Sequence, residues 1–419
     1  MRTYTFSFLK NIATFSFCIC FCISATKAQK DSSFFKRTPK DTSKEKMNMD
    51  GVYDKPFLTM GKLPIAIGGY MEANTEYSGS PGVYNGFSFQ ARRVSIFLES
   101  SIAKNIKFNS EIEYEDGGED IEVEYAFLDL ELNPLINIRG GIILNPIGSF
   151  NENHDGPKWD FVDRPFSSTT LIPSTLSEVG FGLFGKYYHH LWSLGYEAYL
   201  TNGFDGGIIL NSDGRTSLAD GNQNPNKFEQ NNSGLPMFTG RVSARNRKIG
   251  EFGVSYLTDV YNQWQTNDGL IIAPKLSASI LAGDFQTAQF NNRFTITAEV
   301  AKVWVQLPAN YIQNYGSQQW GGFVDFVGTL IQHKMFEWEH AKIELALRLQ
   351  YVNYNEDGTF NQGGQKIYDD LWAITPAIAF RPVGSTVLRL NYTYLWQKDI
   401  FGNTPVQTAT IQFGISTYF

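Results

Sequence analysis

The chain has 419 residues, 15% of them aromatic, and carries 35 Lys and Arg against 42 Asp and Glu, a formal net charge of −7. That acidic balance disfavours a nucleic-acid partner. The three cysteines, Cys18, Cys20 and Cys22, all fall among the first 28 residues, so thiol chemistry and cysteine metal centres are excluded from the remainder.

Residues 1–28 have the form of a secretory signal peptide. Arg2 and Lys10 flank the start, Asn11 to Ser24 is apolar, and Thr26-Lys27-Ala28 places small residues before Gln29. The apolar core is too short for a membrane-spanning helix. Removing it takes away Arg2, Lys10 and Lys27 and no acid, leaving 32 basic against 42 acidic side chains and a net charge of −10. Residues 29–62 are polar and Lys-rich and read as a flexible periplasmic arm. No later run of 18 apolar residues exists, so inner-membrane helices are not expected.

From residue 63 to 419 the pattern has period two. In Ile106-Lys107-Phe108-Asn109-Ser110-Glu111-Ile112-Glu113 the odd positions are mostly polar. Successive strand residues point to opposite faces, so such a segment has one apolar and one wet face. Segments of this kind start near 65, 87, 106, 121, 136, 178, 191, 236, 249, 269, 291, 318, 341, 369, 385 and 404. About sixteen antiparallel strands suit an all-β transmembrane barrel. The links alternate in length. Short ones at 100–105, 133–135, 189–190, 246–248 and 381–384 separate longer ones at 78–86, 146–177, 202–235, 259–268, 306–317 and 355–368. Short periplasmic turns and long external loops have this parity. The link at 116–120 is short for a loop, and 283–290 is long for a turn.

Leu388, Leu390, Tyr392, Tyr394 and Trp396 share one face and Val387, Arg389, Asn391 and Thr393 the other. The first suits lipid with an aromatic girdle, and the second suits a watery lumen. Pro274 and Pro376 fall in expected strands, where each removes a ladder donor, so a bulge or a position outside the hydrocarbon is expected there.

The inward, pore-lining candidates are Arg93, Lys107, Glu111, Arg139, Lys186, Arg241, Arg245, Arg293, Arg348 and Arg389. Arg93 is expected near Glu111 or Glu113. Arg241 and Arg245 have no evident acidic neighbour, which makes them an anion-favouring patch or else anchors for a folded loop. Gly180 to Gly185 spells G-x-G-x-x-G, but Lys186 to Leu200 keeps a strand pattern where a nucleotide site needs a helix. His154-Asp155 offers a cation pair in a long link, yet no two histidines have metal-ligand spacing. No Ser–His pair sits in mid-strand. The expectation is no enzyme, no cofactor and no metal.

The stretch Arg139 to Tyr188, RGGIILNPIGSFNENHDGPKWDFVDRPFSSTTLIPSTLSEVGFGLFGKYY, resembles the outer-membrane porins grouped with phosphate-selective porins O and P, in the form common in Bacteroidetes. The upstream ARRVSIFLESSIAKNIKFNSEIEYED resembles their early hairpin, and FGISTYF resembles a terminal strand ending in Phe that the barrel-assembly machinery reads. The resemblance implies a sixteen-stranded barrel in the outer membrane of a Gram-negative bacterium, in contact with its lipid and often a homotrimer, that passes small hydrophilic or anionic solutes. It also implies that the third loop, 146–177, folds inward as a constriction. Its candidates are Asn151, His154, Asp155, Asp160, Asp163 and Arg164. The family's phosphate-selective members carry a dense arginine ladder, whereas this wall is mixed and this loop acidic. The leading expectation is therefore a general or weakly anion-favouring porin. The alternative is a plugged or closed barrel with a structural or binding role.

Overall fold

A strand with one wet and one apolar face, repeated until it meets its own start, closes into a barrel. The computed structural model describes residues 35–37, 46–60, 64–309, 315–356, 358, 366–398, 401 and 406–419. The signal-peptide reading of 1–28 and most of the arm before residue 46 lie outside the described residues. Sixteen antiparallel strands form the wall: β1 Ile65–Ser80, β2 Val83–Ala103, β3 Ile106–Glu115, β4 Asp120–Asn133, β5 Ile136–Leu144, β6 Ser177–His189, β7 Trp192–Thr201 and β8 Met237–Asn246. There follow β9 Gly250–Val260, β10 Ser277–Gln289, β11 Phe294–Val305, β12 Gln318–Gln332, β13 Lys342–Asn353, β14 Asp370–Arg381, β15 Thr386–Gln397 and β16 Val406–Tyr418. Each pairs with its sequence neighbour, and β16 closes on β1 with Ser416 opposite Glu72 and Ile411 opposite Tyr77. At the seam the Phe419 N–H donates to Gly69 O at 2.9 Å, and a Cβ on Gly69 would run into the Phe419 ring.

The expected starts agree within four residues except for β10. Alternation placed it near 269, but Gln265–Asn267 and Leu270–Ala273 form a separate small hairpin. Pro274 therefore lies between that hairpin and β10 and leaves the wall intact. The stretch 283–290, expected as a link, belongs mostly to β10, and the turn is 290–293. Pro376 does lie in the wall. The β14–β15 ladder skips it, running from Ile374↔Tyr394 to Ala377↔Asn391 without a shift of register. Thr375 Oγ1 and Thr393 Oγ1 bridge the gap at 3.1 Å, so the missing donor costs one rung and no bulge. The first link is also not a long loop: β1 and β2 continue to a tight turn at Pro81–Gly82, where Gly82 has φ +81°.

The outer face is apolar. Leu200, Val242, Val254, Val300, Leu345, Ile378 and Leu390 all point outward and exposed, the band that a barrel presents to lipid. Aromatics collect at both rims. Trp372 stacks on Trp396 at 3.8 Å and Trp320 meets Tyr351 at 5.0 Å at the loop end. Tyr187, Tyr188 and Trp192 stand exposed at the turn end. No described helix is long and apolar enough to cross a membrane.

Candidate functional site

The lumen is where the wet faces converge, and two segments meet in it, with the loop 202–236 packed on the first of them at the loop end through Phe204, Ile208 and Leu218. The first is the third loop, 145–176. Asn151 clamps its neck: Nδ2 donates to Asn145 O at 2.8 Å and Leu176 O at 3.0 Å, and Oδ1 accepts from Leu176 N at 2.8 Å. Just before it, Gly148 adopts φ +67°, and a Cβ there would strike the Glu299 carboxylate. That close approach lets Ser149 N and Phe150 N donate to Glu299 at 2.7 and 3.0 Å, and Ser168 Oγ adds 2.8 Å.

The wall arginines hold the loop across the barrel. Arg389 donates to Phe161 O at 2.6 Å and Gly156 O at 3.1 Å while pairing with Glu72 at 2.6 Å. Arg348 grips Asp325 with two bonds of 2.7 Å and donates to Asp163 O at 2.7 Å. Arg381 holds Asp160 at 2.7 Å, and Arg92 holds Asp163 at 2.5 Å. Arg164 stands 3.7 Å from Glu113. All the expected constriction residues thus lie inside the barrel. Beside them Ile147, Leu171, Ile172 and Leu176 pack with Phe204, Ile208, Leu257, Ile280 and Val303 in one continuous apolar core.

The second segment is 46–60, which composition assigned to a periplasmic arm. Its described part enters the lumen from the turn end. Leu58 and Thr59 pair with Ile67 and Ala66 of β1, past the point where β16 ends. Upstream, Asn48 N donates to the Glu251 carboxylate at 3.0 Å, and Asp50 pairs with Lys186. Val52 packs on Tyr125, Phe127 and Ile143, and Phe57 on Tyr70 and Phe97. The Lys55 ammonium is buried against Glu111 and lies 3.1 Å from Asp155. It also sits 4.0 Å from the centre of the Phe97 ring. The two inserts touch: Asn153 Nδ2 donates to Asn48 O at 3.1 Å.

The pore-lining candidates divide accordingly. Arg93 lies 3.4 Å from Glu113 and 3.1 Å from Glu115, as its register with β3 predicts. Arg139 is fork-bonded to Asp129 at 2.9 and 3.0 Å, and Lys107 pairs with Glu131 at 2.7 Å. The expectation that Arg241 and Arg245 lack acidic neighbours is corrected. Arg241 is buried on Asp284, at 2.5 and 2.8 Å, and donates to Gly148 O at 3.0 Å. Arg245 stands 3.6 Å from Glu251. Arg241 is thus a loop anchor. A link at 283–290 would leave Asp284 off the wall; as part of β10 it faces Arg241 instead. Arg293 is corrected too: it is exposed in the turn 290–293 and not on the wall. Gly180, Gly182 and Gly185 lie within β6, packed against β5 and β7 with no helix after them.

The electrostatics are those of a lumen shielded from water. Arg139, Arg241, Arg348 and Arg389 are each at most 2% exposed. Burial, with Glu197 adding to it, pushes the Glu152 carboxyl well up, and neither of its oxygens has a partner among the described residues. Burial brings the His154 imidazolium down to about 3, so the ring is neutral. At Asp155, burial is outweighed by Lys158, Lys55 and His154, which hold the carboxyl well below its usual range.

No family model matches the chain. An uncharacterized protein of Aquifex aeolicus (strain VF5) is 37% identical over 149 residues, 34% of this chain and 33% of its own length. The chain therefore spans about a third of that relative. Among solved structures, the Pseudomonas putida OprB structure at high pH is similar, with a TM-score of 0.52, 10% identity and coverage of 85% of this chain and 94% of that one. The anion-selective porin from Comamonas acidovorans gives 0.51, 10%, 85% and 99%. The outer membrane channel DcaP of Acinetobacter baumannii gives 0.50, 13%, 85% and 97%. At these identities the likeness is one of fold: a closed antiparallel barrel of sixteen strands.

Proposed function

We propose that the protein is an outer-membrane channel of the porin type, captured closed, which passes small hydrophilic solutes once residues 46–60 leave the lumen. One observation carries this reading: Lys55, Asp50 and Asn48 fill the turn-end half of the lumen through charge-assisted contacts to wall carboxylates and Lys186. A wall built to be permanently dry gains nothing from such pairs, whose desolvation offsets most of their attraction. A wall that is at times wet needs polar groups that water can also satisfy.

The wall supports weak selectivity. Arg139, Arg241, Arg348 and Arg389 each have a carboxylate already in place, so a phosphate would have to compete for guanidinium forks that are taken. The resemblance to the phosphate-selective O and P porins supports the channel and, with it, a homotrimer and assembly through the strand ending at Phe419. The exposed apolar band with two aromatic rims supports the outer membrane. The second reading, a permanently plugged barrel with a structural role, draws on the apolar core beneath the third loop.

Planar-bilayer recording separates the two. Full-length protein is expected to be mostly silent, and a chain lacking residues 29–60 to give ohmic current with mild anion preference. A folded deletion variant that carries no current would leave the plugged barrel as the better account.

A further inference from the structure

His154 presents an anomaly that the closed-channel reading leaves unexplained. Its Nδ1 lies 2.8 Å from Asn151 O. A carbonyl only accepts, so Nδ1 carries a proton, and in the neutral tautomer this fixes, Nε2 is the nitrogen left with a free lone pair. That Nε2 is fully buried and has no hydrogen-bond partner among the described residues. It faces carboxylates: Asp155 Oδ1 is 3.9 Å away, and one ligand atom each from Glu111, His154 and Asp155 lies within 4.8 Å of the others. Three acceptors turned toward one another are complementary to a cation.

We propose that Glu111, His154 and Asp155 form a binding site for a divalent transition-metal ion of the zinc class, and that the Lys55 ammonium occupies its seat in the closed lumen. A neutral imidazole with two carboxylates exactly balances a dication in formal charge and matches the nitrogen and oxygen donors that zinc accepts. The outer contacts are those that orient metal ligands. Ser95 Oγ donates to Glu111 Oε1 at 2.5 Å, Tyr418 OH donates to Asp155 Oδ2 at 2.6 Å, and the Asn151 carbonyl fixes the imidazole. Each carboxylate thereby keeps its other oxygen for the shared centre, and there Lys55 meets both, on Glu111 Oε2 and Asp155 Oδ1. Lys158, 22% exposed, stands 3.6 Å from Asp155 Oδ2, the oxygen that Tyr418 holds, and so stays off the shared centre. A metal ion and the N-terminal segment would then exclude each other, so zinc would favour the open lumen. This last step rests on the reading of residues 46–60 as a removable insert; the site itself does not.

The test is zinc chloride titrated calorimetrically into folded protein in detergent, with heat-modifiable gel migration confirming the barrel. Lys55→Met removes the competing ammonium, and it is expected to bind one zinc ion about tenfold or more tighter than the unaltered chain. Adding His154→Ala is expected to lose about tenfold or more of that affinity, and calcium is expected not to distinguish the two variants. Equal zinc affinity with and without His154, or no binding by Lys55→Met, would overturn the proposal. Should Lys55→Met fail to fold, the chain lacking residues 29–60 vacates the same seat and gives the same comparison at His154. Bilayer recordings of the same samples keep the two ideas apart: tight zinc binding without current upholds the site and contradicts the gate.

Discussion

The third loop and residues 46–60 share one lumen but are held there by different physics. The loop is tied to the wall at both ends, neck-clamped by Asn151, and rooted in a continuous apolar core through Ile147, Leu171, Ile172 and Leu176. Each such side chain contributes roughly 1.5–3 kcal/mol on full burial. The N-terminal segment continues into the wall only at β1. It buries Met47, Met49, Val52 and Phe57, of which only Val52 and Phe57 join apolar clusters, both small, and it adds the polar contacts of Lys55, Asp50 and Asn48. Such polar contacts can be exchanged for contacts to water, whereas a buried Ile172 has no comparable alternative. A fixed constriction and a removable stopper can therefore coexist inside one barrel.

The comparison can be broken first on the loop side. Asp284→Asn leaves Arg241 buried and unpaired beneath the loop, with an expected loss of about 3–5 kcal/mol, read as a lower urea midpoint of the folded barrel. Ile172→Ala opens a cavity in the shared core and should cost about 2–5 kcal/mol by the same measurement. Neither is expected to raise current as removal of residues 46–60 does; if either matches it, the loop is the gate. On the segment side, Lys186→Ala breaks the partly exposed pair with Asp50. It is expected to weaken the closed state by about 0.2–1 kcal/mol, a change in open probability of up to several-fold with no shift in the urea midpoint. The smallest effect belongs to the rim: Glu339→Gln, removing the exposed partner of Lys334, should leave both readings unchanged.

The wall was legible because its signal is local. One wet and one apolar face recur in every strand, so β3, β7 and β15 could be placed from a handful of residues each. The third loop was legible from its length and parity and from its resemblance to the porin group. What escaped depended on partners distant in the chain. Arg241 and Asp284 are separated by 43 residues, and once 283–290 was read as a link, no acid remained for Arg241. Lys55 was lost in a Lys-rich arm, although Met47, Met49, Val52 and Phe57 interrupt that polarity and are buried. Those four apolar residues were the available signal. Pro376 does fall in a strand, as expected, but the bulge expected there is absent: the ladder skips the proline in register, which depends on Thr375 facing Thr393 across the ladder.

Residues 29–419 contain no cysteine, so introduced thiols can tie the two inserts together without competition from them. Asn153 Nδ2 reaches Asn48 O at 3.1 Å, so cysteines at these two positions lie within reach of a short bis-methanethiosulfonate cross-linker. The Asn48→Cys, Asn153→Cys protein should show no openings in a bilayer when cross-linked and should regain the occasional openings of the unaltered chain when reductant is added, while each single variant ignores the reductant. Equal current from the locked and the reduced protein would contradict the account that residues 46–60 close this channel.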